Sequence, residues 1–263
     1  MTFEDCIIPN WPAPPNVRSL ITTRRGGVSA GPYHSLNLGA HVDDQWQPVE
    51  ENRKRLRCHL PADPFWLSQQ HGTVVVDADA ASSAQNSLRG AVTGAERGFD
   101  WARPLADASV AHRANVVCAV LTADCLPVLL CDRSGSCVAA AHAGWRGLAA
   151  GVVEKTVQAM QVQPSKLIAY LGPAIGPRKF EVGEDVLQAF TARNAAAKSA
   201  FIALQEGKWL ADIYALARMR LAECGVTASY GGEYCTVSDA RFFSHRRDRI
   251  TGRFASLIWL AYE

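Results

Sequence analysis

The sequence predicts a mixed α/β or α+β fold rather than a doubly wound parallel sheet. Short apolar runs that are typical of buried strands occur along the chain, and segments with apolar residues at helical spacing lie between them. The two kinds of segment are intermixed without the regular strand–helix alternation of a doubly wound sheet. Because 48% of the residues are hydrophobic, the chain can also build a sizeable core.

The first half of the chain predicts more strands than helices. A Pro-rich stretch precedes a first strand over residues 18–23, which ends at two arginines and two glycines. Val49, Arg53 and Leu56 give a charged helical pattern over residues 48–60. Strands are predicted over 65–67 and 73–76, and residues 80–103, rich in Ala, Ser, Gly and Arg, are predicted to form a long loop.

The second half predicts a cluster of buried strands followed by amphipathic helices. The strands span 116–123, 126–131 and 137–141, with residues 133–136 as a hairpin turn between the last two. A helix over 147–160 follows from apolar residues at helical spacing. The remaining predictions are a strand over 166–171, helices over 184–193 and about 210–221, and a last strand over 254–262.

Composition excludes several classes of function. The net charge of +2 gives no argument for binding nucleic acid or an anionic membrane, and no apolar run reaches transmembrane length. The N-terminus lacks a basic region followed by an apolar one, so we expect no signal peptide. The eight cysteines are scattered, which favours reduced thiols and a cytoplasmic location.

Three residues carry the strongest chemical signal: His71, Cys125 and His142. Each stands in a short polar or Gly-containing break beside an apolar run, where strands end and the backbone opens toward a cleft. A thiolate and two imidazoles can bind a transition metal and leave one position open for water. The same residues could instead supply a nucleophile and a base without metal.

Each of the three residues also has a structural interpretation. Cys125 beside apolar residues is about as often a buried structural cysteine as a reactive one. His142 could be a histidine whose bonds are satisfied at a strand end, and His71 beside Gly72 has the weakest local pattern. Asp124 and Asp107 are candidate proton shuttles, with a helix cap or a partner of a histidine as their alternative. The other histidines lie in polar surroundings.

Several segments have the composition of an anion or sugar site. Arg24 and Arg25 precede two glycines, and Asn37 offers an amide nearby. Arg146 follows His142 at the expected start of a helix, where a guanidinium and free amides favour phosphate. The Gly-Pro-Ala-Ile-Gly-Pro loop over 172–177 with Arg178 could form an anion nest, although turn chemistry explains both kinds of segment.

The chain resembles the YfiH-like laccase-domain family. The resemblance lies in motifs that occur in the expected order over nearly the whole chain. They are Ser-Leu-Asn-Leu-Gly from Ser35, Gln-His-Gly from Gln70, Thr-Ala-Asp-Cys-Leu-Pro from Thr122, Ala-His-Ala-Gly-Trp-Arg-Gly from Ala141, Leu-Gly-Pro-Ala-Ile-Gly-Pro from Leu171, Phe-Glu-Val-Gly from Phe180, the segment 242–248 and Thr-Gly-Arg from Thr251. His245 stands where the family commonly has a tyrosine, and the sequence assigns it no role.

The resemblance implies a fold, a site and an activity. The fold would be a single layered domain over residues 1–263 with mixed β-sheets, similar to the catalytic domain of a cytotoxic necrotizing factor. The family's site residues match His71, Cys125 and His142, and they bind zinc or copper in relatives. The implied activity is purine nucleoside phosphorolysis of adenosine, inosine and methylthioadenosine, with adenosine deamination as a side activity and purine nucleosides and phosphate as partners. We expect a monomer.

Three other functions stay open on the sequence. A copper-dependent polyphenol oxidase is one, although seven scattered histidines are few for a multicopper centre. A cysteine hydrolase with Cys125 as nucleophile and His142 as base is another. The third is a non-enzymatic partner protein in which Cys125 is merely buried. In the phosphorylase interpretation, Arg24, Arg25 or Arg146 holds phosphate and a histidine protonates the leaving purine.

Overall fold

A computed structural model describes residues 1–80 and 103–262. The strands are β1 (Cys6–Ile7), β2 (Val17–Thr22), β3 (Pro64–Phe65), β4 (Val75–Asp77), β5 (Ala108–Ala111), β6 (Val117–Thr122), β7 (Leu126–Asp132), β8 (Val138–Ala143), β9 (Leu167–Leu171), β10 (Glu181–Gly183), β11 (Phe201–Gln205), β12 (Lys208–Ala211), β13 (Ala228–Gly231) and β14 (Phe254–Leu260). The α-helices are α1 (Trp46–Arg57), α2 (Trp145–Ala150), α3 (Val152–Ala159), α4 (Glu184–Thr191), α5 (Ile213–Glu223) and α6 (His245–Asp248). The loop predicted over 80–103 lies almost wholly outside the described residues.

The strands form mixed sheets, as the sequence predicts. A six-stranded sheet has the order β13-β9-β7-β8-β5-β4, a five-stranded sheet the order β1-β2-β14-β6-β3, and a small sheet the order β10-β12-β11. Most neighbours are antiparallel, but β13 runs parallel to β9, β4 to β5 and β3 to β6. The predicted mixed α/β class is therefore confirmed.

The two larger sheets pack face to face between two layers of helix. Along β7, Leu129 and Cys131 point toward the five-stranded sheet, whereas Val128 and Leu130 point toward the core formed with α3 and α5. Strand β6 alternates in the same way, and its other face packs on Leu56 of α1. Because strands such as β7 are buried on both faces, they appear in the sequence as continuous apolar runs.

One predicted helix is wrong as a single element. The helical pattern over residues 147–160 is divided between α2 and α3 at Gly151, whose φ of 105° lies in the left-handed region. That conformation ends α2 with a bond from the Gly151 amide to the Gly147 carbonyl, and it suits glycine because a side chain is strained there. In the described parts of the chain, no helix combines the length and the apolar character needed to cross a membrane.

The sequence analysis missed the short strand β5 and the small three-stranded sheet. Strand β5 reads Ala-Ser-Val-Ala and has little apolar signal of its own, yet all four residues are buried between β4 and β8. Strand β11 is exposed along most of its length, and its apolar residues Ile202 and Leu204, which share one face, both face solvent instead of the core. In both strands the pairing partners, rather than local pattern, decide the structure.

The predicted hairpin turn between β7 and β8 is organised by one buried carboxylate. The Asp132 side chain accepts the backbone amides of Ser136 at 2.7 Å and Cys137 at 2.8 Å, and the hydroxyls of Ser134 and Ser136. Burial raises the pKa of Asp132, but the hydrogen bonds from Ser134, Cys137 and Ser136 outweigh burial and hold that pKa below its ordinary value. The charged form of Asp132 therefore stabilises the hairpin.

We predict that Asp132→Asn lowers the free energy of unfolding by about 1–3 kcal/mol at pH 7, because one buried acceptor is lost. The folded-state pKa lies below the unfolded value of about 3.9. The contribution is therefore complete above that value and is lost as pH falls through the folded-state pKa. Urea unfolding of both proteins should show a difference that shrinks below about pH 4.

The control for this prediction is Glu206→Gln, because Glu206 is exposed in the turn between β11 and β12. Its unfolding free energy should match the wild type at each pH. A wild-type advantage over Asp132→Asn that stays constant into strong acid would contradict the assigned role of the carboxylate.

Candidate active and metal-binding site

His71, Cys125 and His142 come together at one end of the six-stranded sheet. Cys125 immediately precedes β7, and His142 lies near the end of β8, which pairs with β7 so that Leu126 is opposite Ala143. His71 comes from the turn before β4 with a φ of 58°. The Cys125 Sγ lies 3.7 Å from His71 Nε2, and the two imidazole rings meet edge to face at 4.8 Å. The structure therefore joins residues that are far apart in sequence.

Asp107 connects two of these three residues to the fold. Its carboxylate, 1% exposed, accepts the backbone amides of Gln70, His71 and Gly72 at 3.2, 2.9 and 2.7 Å. The same carboxylate is 2.8 Å from Nδ1 of His142. Asp107 therefore fixes both the His71 turn and the His142 ring. Of the roles that the sequence left open for Asp107, proton shuttle, helix cap and partner of a histidine, these contacts match the last.

Hydrogen bonds and neighbouring charges shift the pKa values of Cys125, His142 and Asp107, so that all three groups are ionised near neutral pH. Burial alone raises the pKa of the Cys125 thiol, but His142 and His71 outweigh burial and lower that pKa to about 6. Burial lowers the pKa of His142, whereas Cys125 and Asp107 outweigh it and raise that pKa to about 9. The pKa of Asp107 is held below its ordinary value despite burial, mainly by His142 and the Gly72 amide. At neutral pH the metal-free site therefore contains a thiolate, an imidazolium and a carboxylate.

Two glycines let α2 begin against this group. A Cβ atom at Gly144 would lie 2.8 Å from His71 Cδ2 and 3.0 Å from Cys125 Sγ. A Cβ atom at Gly147 would lie 2.8 Å from the Gly72 carbonyl oxygen. Contacts this short are excluded in practice, so the glycines of Ala-His-Ala-Gly-Trp-Arg-Gly are needed for close packing.

The His71, Cys125 and His142 side chains fit one metal ion. Their ligand atoms all lie within 4.8 Å of one another, and two ligands of a tetrahedral zinc ion are roughly 3.3–3.8 Å apart. The bond from His142 Nδ1 to Asp107 leaves Nε2 for a metal, in the pairing that commonly supports metal-binding histidines. Within residues 1–80 and 103–262 this is the only such group, which provides ligands for one ion rather than several.

A cavity of about 150 Å³ adjoins the group on the Cys125 side. Two large aromatic and three aliphatic side chains form much of its wall, and polar groups form the rest. The lining residues are Ala123, Asp124, Cys125, Trp145, Ile175, Phe180, Ile213, His245 and Arg246. An apolar cleft with a few polar groups next to perturbed titratable residues is typical of a small-molecule site.

Asp124 holds the segment that carries Cys125. Its φ of 88° is left-handed, and its carboxylate accepts the Thr236 hydroxyl at 2.5 Å and the Arg246 amide at 2.6 Å. Its backbone carbonyl accepts the Ile175 amide at 2.9 Å. Asp124 thus links Cys125 to the 172–177 loop and to α6, so the Gly-Pro-Ala-Ile-Gly-Pro segment contributes a wall of the cavity.

The four predicted substrate-binding residues have different surroundings. Arg146 is exposed, and its guanidinium lies 4.3 Å from the ring of Trp145, which lines the cavity. Arg24 stacks on Phe243 at 4.8 Å and donates through Nε to the His34 carbonyl. Arg25 is exposed, and Asn37 is fully buried.

Asn37 joins two other segments through its amide. It donates to Asp44 at 2.9 Å and accepts the amides of Gly39 and Arg253 at 2.9 and 2.8 Å. Burial lowers the pKa of Arg253, and the negative charges of Cys125 and Asp124 oppose that effect. Arg253 therefore lies within electrostatic range of the site, and Asn37 fixes the backbone of Arg253.

Sequence analysis did not assign Trp145, Phe180, Ile213, His245 and Arg246 to a cavity. Trp145 and Phe180 stand in two of the motifs that carry the family resemblance, but only the fold brings these motifs to one place. His245 and Arg246 lie more than one hundred residues beyond Cys125. The sequence signal that pointed to this region was the pair of motifs next to His245, Arg-Arg-Asp over 246–248 and Thr-Gly-Arg over 251–253.

Comparisons with known proteins show the family to which this chain is similar. Residues 18–261 match the family model described as multi-copper polyphenol oxidoreductase laccase. A purine nucleoside phosphorylase from Pseudomonas aeruginosa is 54% identical over 256 residues, covering 97% of this chain and 98% of that protein. The purine nucleoside phosphorylase YfiH from Escherichia coli is 52% identical over 258 residues, covering 97% and 98%.

Solved structures show the same fold. A Neisseria meningitidis protein of the DUF152 family is 51% identical with a TM-score of 0.87, over 98% of this chain and 100% of that chain. A Bacillus licheniformis protein, YfiH, is 32% identical with a TM-score of 0.79, over 93% and 92%. These similarities confirm the YfiH-like fold that the sequence motifs imply.

We predict that Cys125 of the metal-free protein reacts with iodoacetamide as a thiolate at neutral pH. Its alkylation rate, followed by mass spectrometry of the Cys125 peptide, should level off above about pH 7, whereas an ordinary thiol with a pKa of about 8.5 still gains rate. His142→Gln removes the main lowering influence on the pKa, so the rate at pH 7 should fall about tenfold or more. A wild-type rate that still rises about tenfold between pH 7 and 8 would contradict the lowered pKa.

Proposed function

The chain belongs to the laccase-domain family that includes YfiH, and from this membership and its site we propose that it is a purine nucleoside phosphorylase. Its proposed substrates are phosphate with adenosine, inosine or methylthioadenosine, and adenosine deamination is a proposed side activity. The relatives' names support the reaction class. The particular nucleosides are proposed because the family resemblance implies them.

The observation that carries the proposal is the position of the charged group beside an aromatic-walled cavity. Trp145 and Phe180 offer ring faces to a planar base, and Ile175 and Ile213 complete an apolar wall. Cys125 lies on the same cavity, so a nucleoside bound there has its sugar or base next to reactive groups. Holding both reactants in such a place lowers the entropic part of the barrier.

Phosphorolysis needs charge stabilisation more than covalent chemistry. As phosphate approaches the ribose carbon and the base departs, positive charge develops on the sugar and negative charge on the base. The Cys125 thiolate and the His142 imidazolium supply one charge of each sign, and Asp107 keeps the imidazole oriented. We propose these roles for Cys125 and His142, with His71 holding the thiolate.

Arg146 is the proposed phosphate holder. Its guanidinium stacks on cavity-lining Trp145, which orients the planar donor fork that suits phosphate. Arg24 and Arg25 are the other candidates, but one Arg24 nitrogen already donates to the His34 carbonyl. Asn37 is proposed to support substrate binding indirectly, since its amide is bonded to Asp44, Gly39 and Arg253.

The metal is proposed to be zinc, with copper as the alternative, on His71, Cys125 and His142. A bound ion supplies Lewis-acid chemistry of the kind that activates water for deamination. Phosphorolysis does not require it. The carboxylates of Asp107 and Asp124 are both occupied by hydrogen bonds, so their proposed contribution is to hold His142 and the Cys125 segment.

A cysteine hydrolase is the second candidate. The lowered pKa of Cys125 and its contact with His142 are what nucleophilic catalysis requires. This alternative differs from the phosphorylase because it forms a covalent adduct at Cys125 and does not consume phosphate.

We further propose a single domain over residues 1–263 that acts as a cytoplasmic monomer, without nucleic-acid or membrane partners.

We predict phosphate-dependent release of base from inosine and adenosine by metal-stripped and zinc-loaded protein. Chromatography should resolve hypoxanthine or adenine, ribose 1-phosphate and inosine. Cys125→Ala should lower base release about 100-fold or more, because the thiolate and its effect on His142 are lost. Inosine formed from adenosine only with zinc supports the deaminase, whereas no product under any condition contradicts the nucleoside assignment.

Arginine variants in the same assay identify the phosphate holder. Arg146→Gln should raise the KM for phosphate about tenfold or more, the value of a charged hydrogen bond, with a smaller effect on the KM for inosine. Arg24→Gln and Arg25→Gln serve as matched comparisons. A larger effect at either of them moves the phosphate role away from Arg146.

A further inference from the structure

His245 shares the cavity with Cys125 but lies outside the His71, Cys125 and His142 group. It is exposed at the start of α6, and the sequence analysis assigned it no role. The cavity is about 150 Å³, so a ligand within it that reaches Cys125 also passes close to the His245 ring. His245 is therefore a second side chain, besides Cys125, that can act on a nucleoside bound in the cavity.

The segment that carries His245 is held rigidly against the site. The amide of Arg246 donates to Asp124, the residue before Cys125, at 2.6 Å. The Arg247 guanidinium donates to the carbonyls of Thr236, Val237 and Phe242. Ser244 caps α6 by accepting the Arg247 amide at 3.2 Å. These bonds fix the backbone of α6 relative to the segment that carries Cys125.

A backbone bond also determines which ring nitrogen of His245 is already engaged. His245 Nδ1 lies 2.7 Å from the Arg249 carbonyl oxygen. A carbonyl only accepts, so Nδ1 carries a hydrogen in both the neutral and the protonated ring. The nitrogen that gains or loses a proton is therefore Nε2, which this bond leaves available to an occupant of the cavity.

The other polar groups on the cavity wall have fixed partners. Asp124 is bonded to Thr236 and Arg246, and Cys125 belongs to the charged group with His142. The Arg246 guanidinium donates to the carbonyls of Lys179 and Glu181 and does not release a proton at neutral pH. Among the described residues that line the cavity, His245 is thus the imidazole positioned for proton transfer.

We propose that His245 is the general acid that protonates the departing purine. A phosphate oxygen forms the new bond to C1′ of ribose as the bond from C1′ to N9 breaks, and its electron pair passes to the purine. The proton on His245 Nε2 moves to purine N7, which gives the neutral base and ribose 1-phosphate. The imidazole then regains a proton from water, while Nδ1 stays bonded to Arg249.

The inference rests on the proposed phosphorylase activity and adds the residue that activates its leaving group. The test compares inosine, whose base needs a proton, with 7-methylinosine, whose positively charged base leaves without one. A 4-nitrophenyl riboside, which also leaves unprotonated, serves if 7-methylinosine is not a substrate. His245→Gln keeps a polar side chain of similar length, with an amide near the position of Nε2, but cannot deliver a proton. His112→Gln is the matched control, because His112 is exposed at the far end of β5 from the site.

At saturating phosphate, His245→Gln should lower kcat for inosine about 100-fold and change kcat for the activated substrate by less than about threefold. His112→Gln should match the wild type with both substrates. Equal losses on both substrates would show a merely structural role and overturn the proposal, as would unchanged inosine turnover in His245→Gln. If wild-type protein shows no phosphate-dependent cleavage of any substrate, the phosphorylase function itself fails, and the general-acid role fails with it.

Discussion

The site depends on the hydrogen bonds that the buried carboxylate of Asp107 makes with the His71 turn and with His142. A charge with 1% exposure is costly in a protein interior unless hydrogen bonds replace its lost hydration. Three consecutive backbone amides and one imidazole provide those bonds here. Because the amides belong to the His71 turn and the imidazole to His142, the bonds that satisfy Asp107 also bring the two histidines together.

The layered fold explains why such a carboxylate can be buried. Strand β5 begins at Ala108 and lies between β4 and β8, so Asp107 enters the sheet next to the strand that carries His142. The face-to-face sheets and the outer helices bury β7 and β8 on both sides, which leaves the sheet end as the place where polar groups meet. The glycines at the start of α2 then let that helix close one side of the site.

The sequence predicted the class of fold and singled out three candidate site residues, which the structure brings together. The long apolar runs of β6, β7 and β8 and the breaks at Cys125 and His142 are visible without a structure. Strand β5 and the division of a helix at Gly151 were not predicted, since pairing and a left-handed residue override propensity there. The cavity wall was missed because tertiary packing alone joins Phe180, Ile213 and His245 to Cys125.

The most direct test of the account is the zinc affinity and phosphorolytic activity of Asp107→Asn. An amide of the same shape cannot accept every bond that the carboxylate accepts, so the His71 turn and the His142 ring should lose their common anchor. We expect zinc affinity, measured by competition with a chromophoric chelator, to fall about 10–100-fold, with base release falling as well.

The matched control is Asp132→Asn, which alters an equally well-bonded carboxylate at the other end of β7. It should lower stability and leave zinc affinity unchanged. If Asp107→Asn also left zinc affinity and base release unchanged, Asp107 would not organise this site, and the central claim would be wrong.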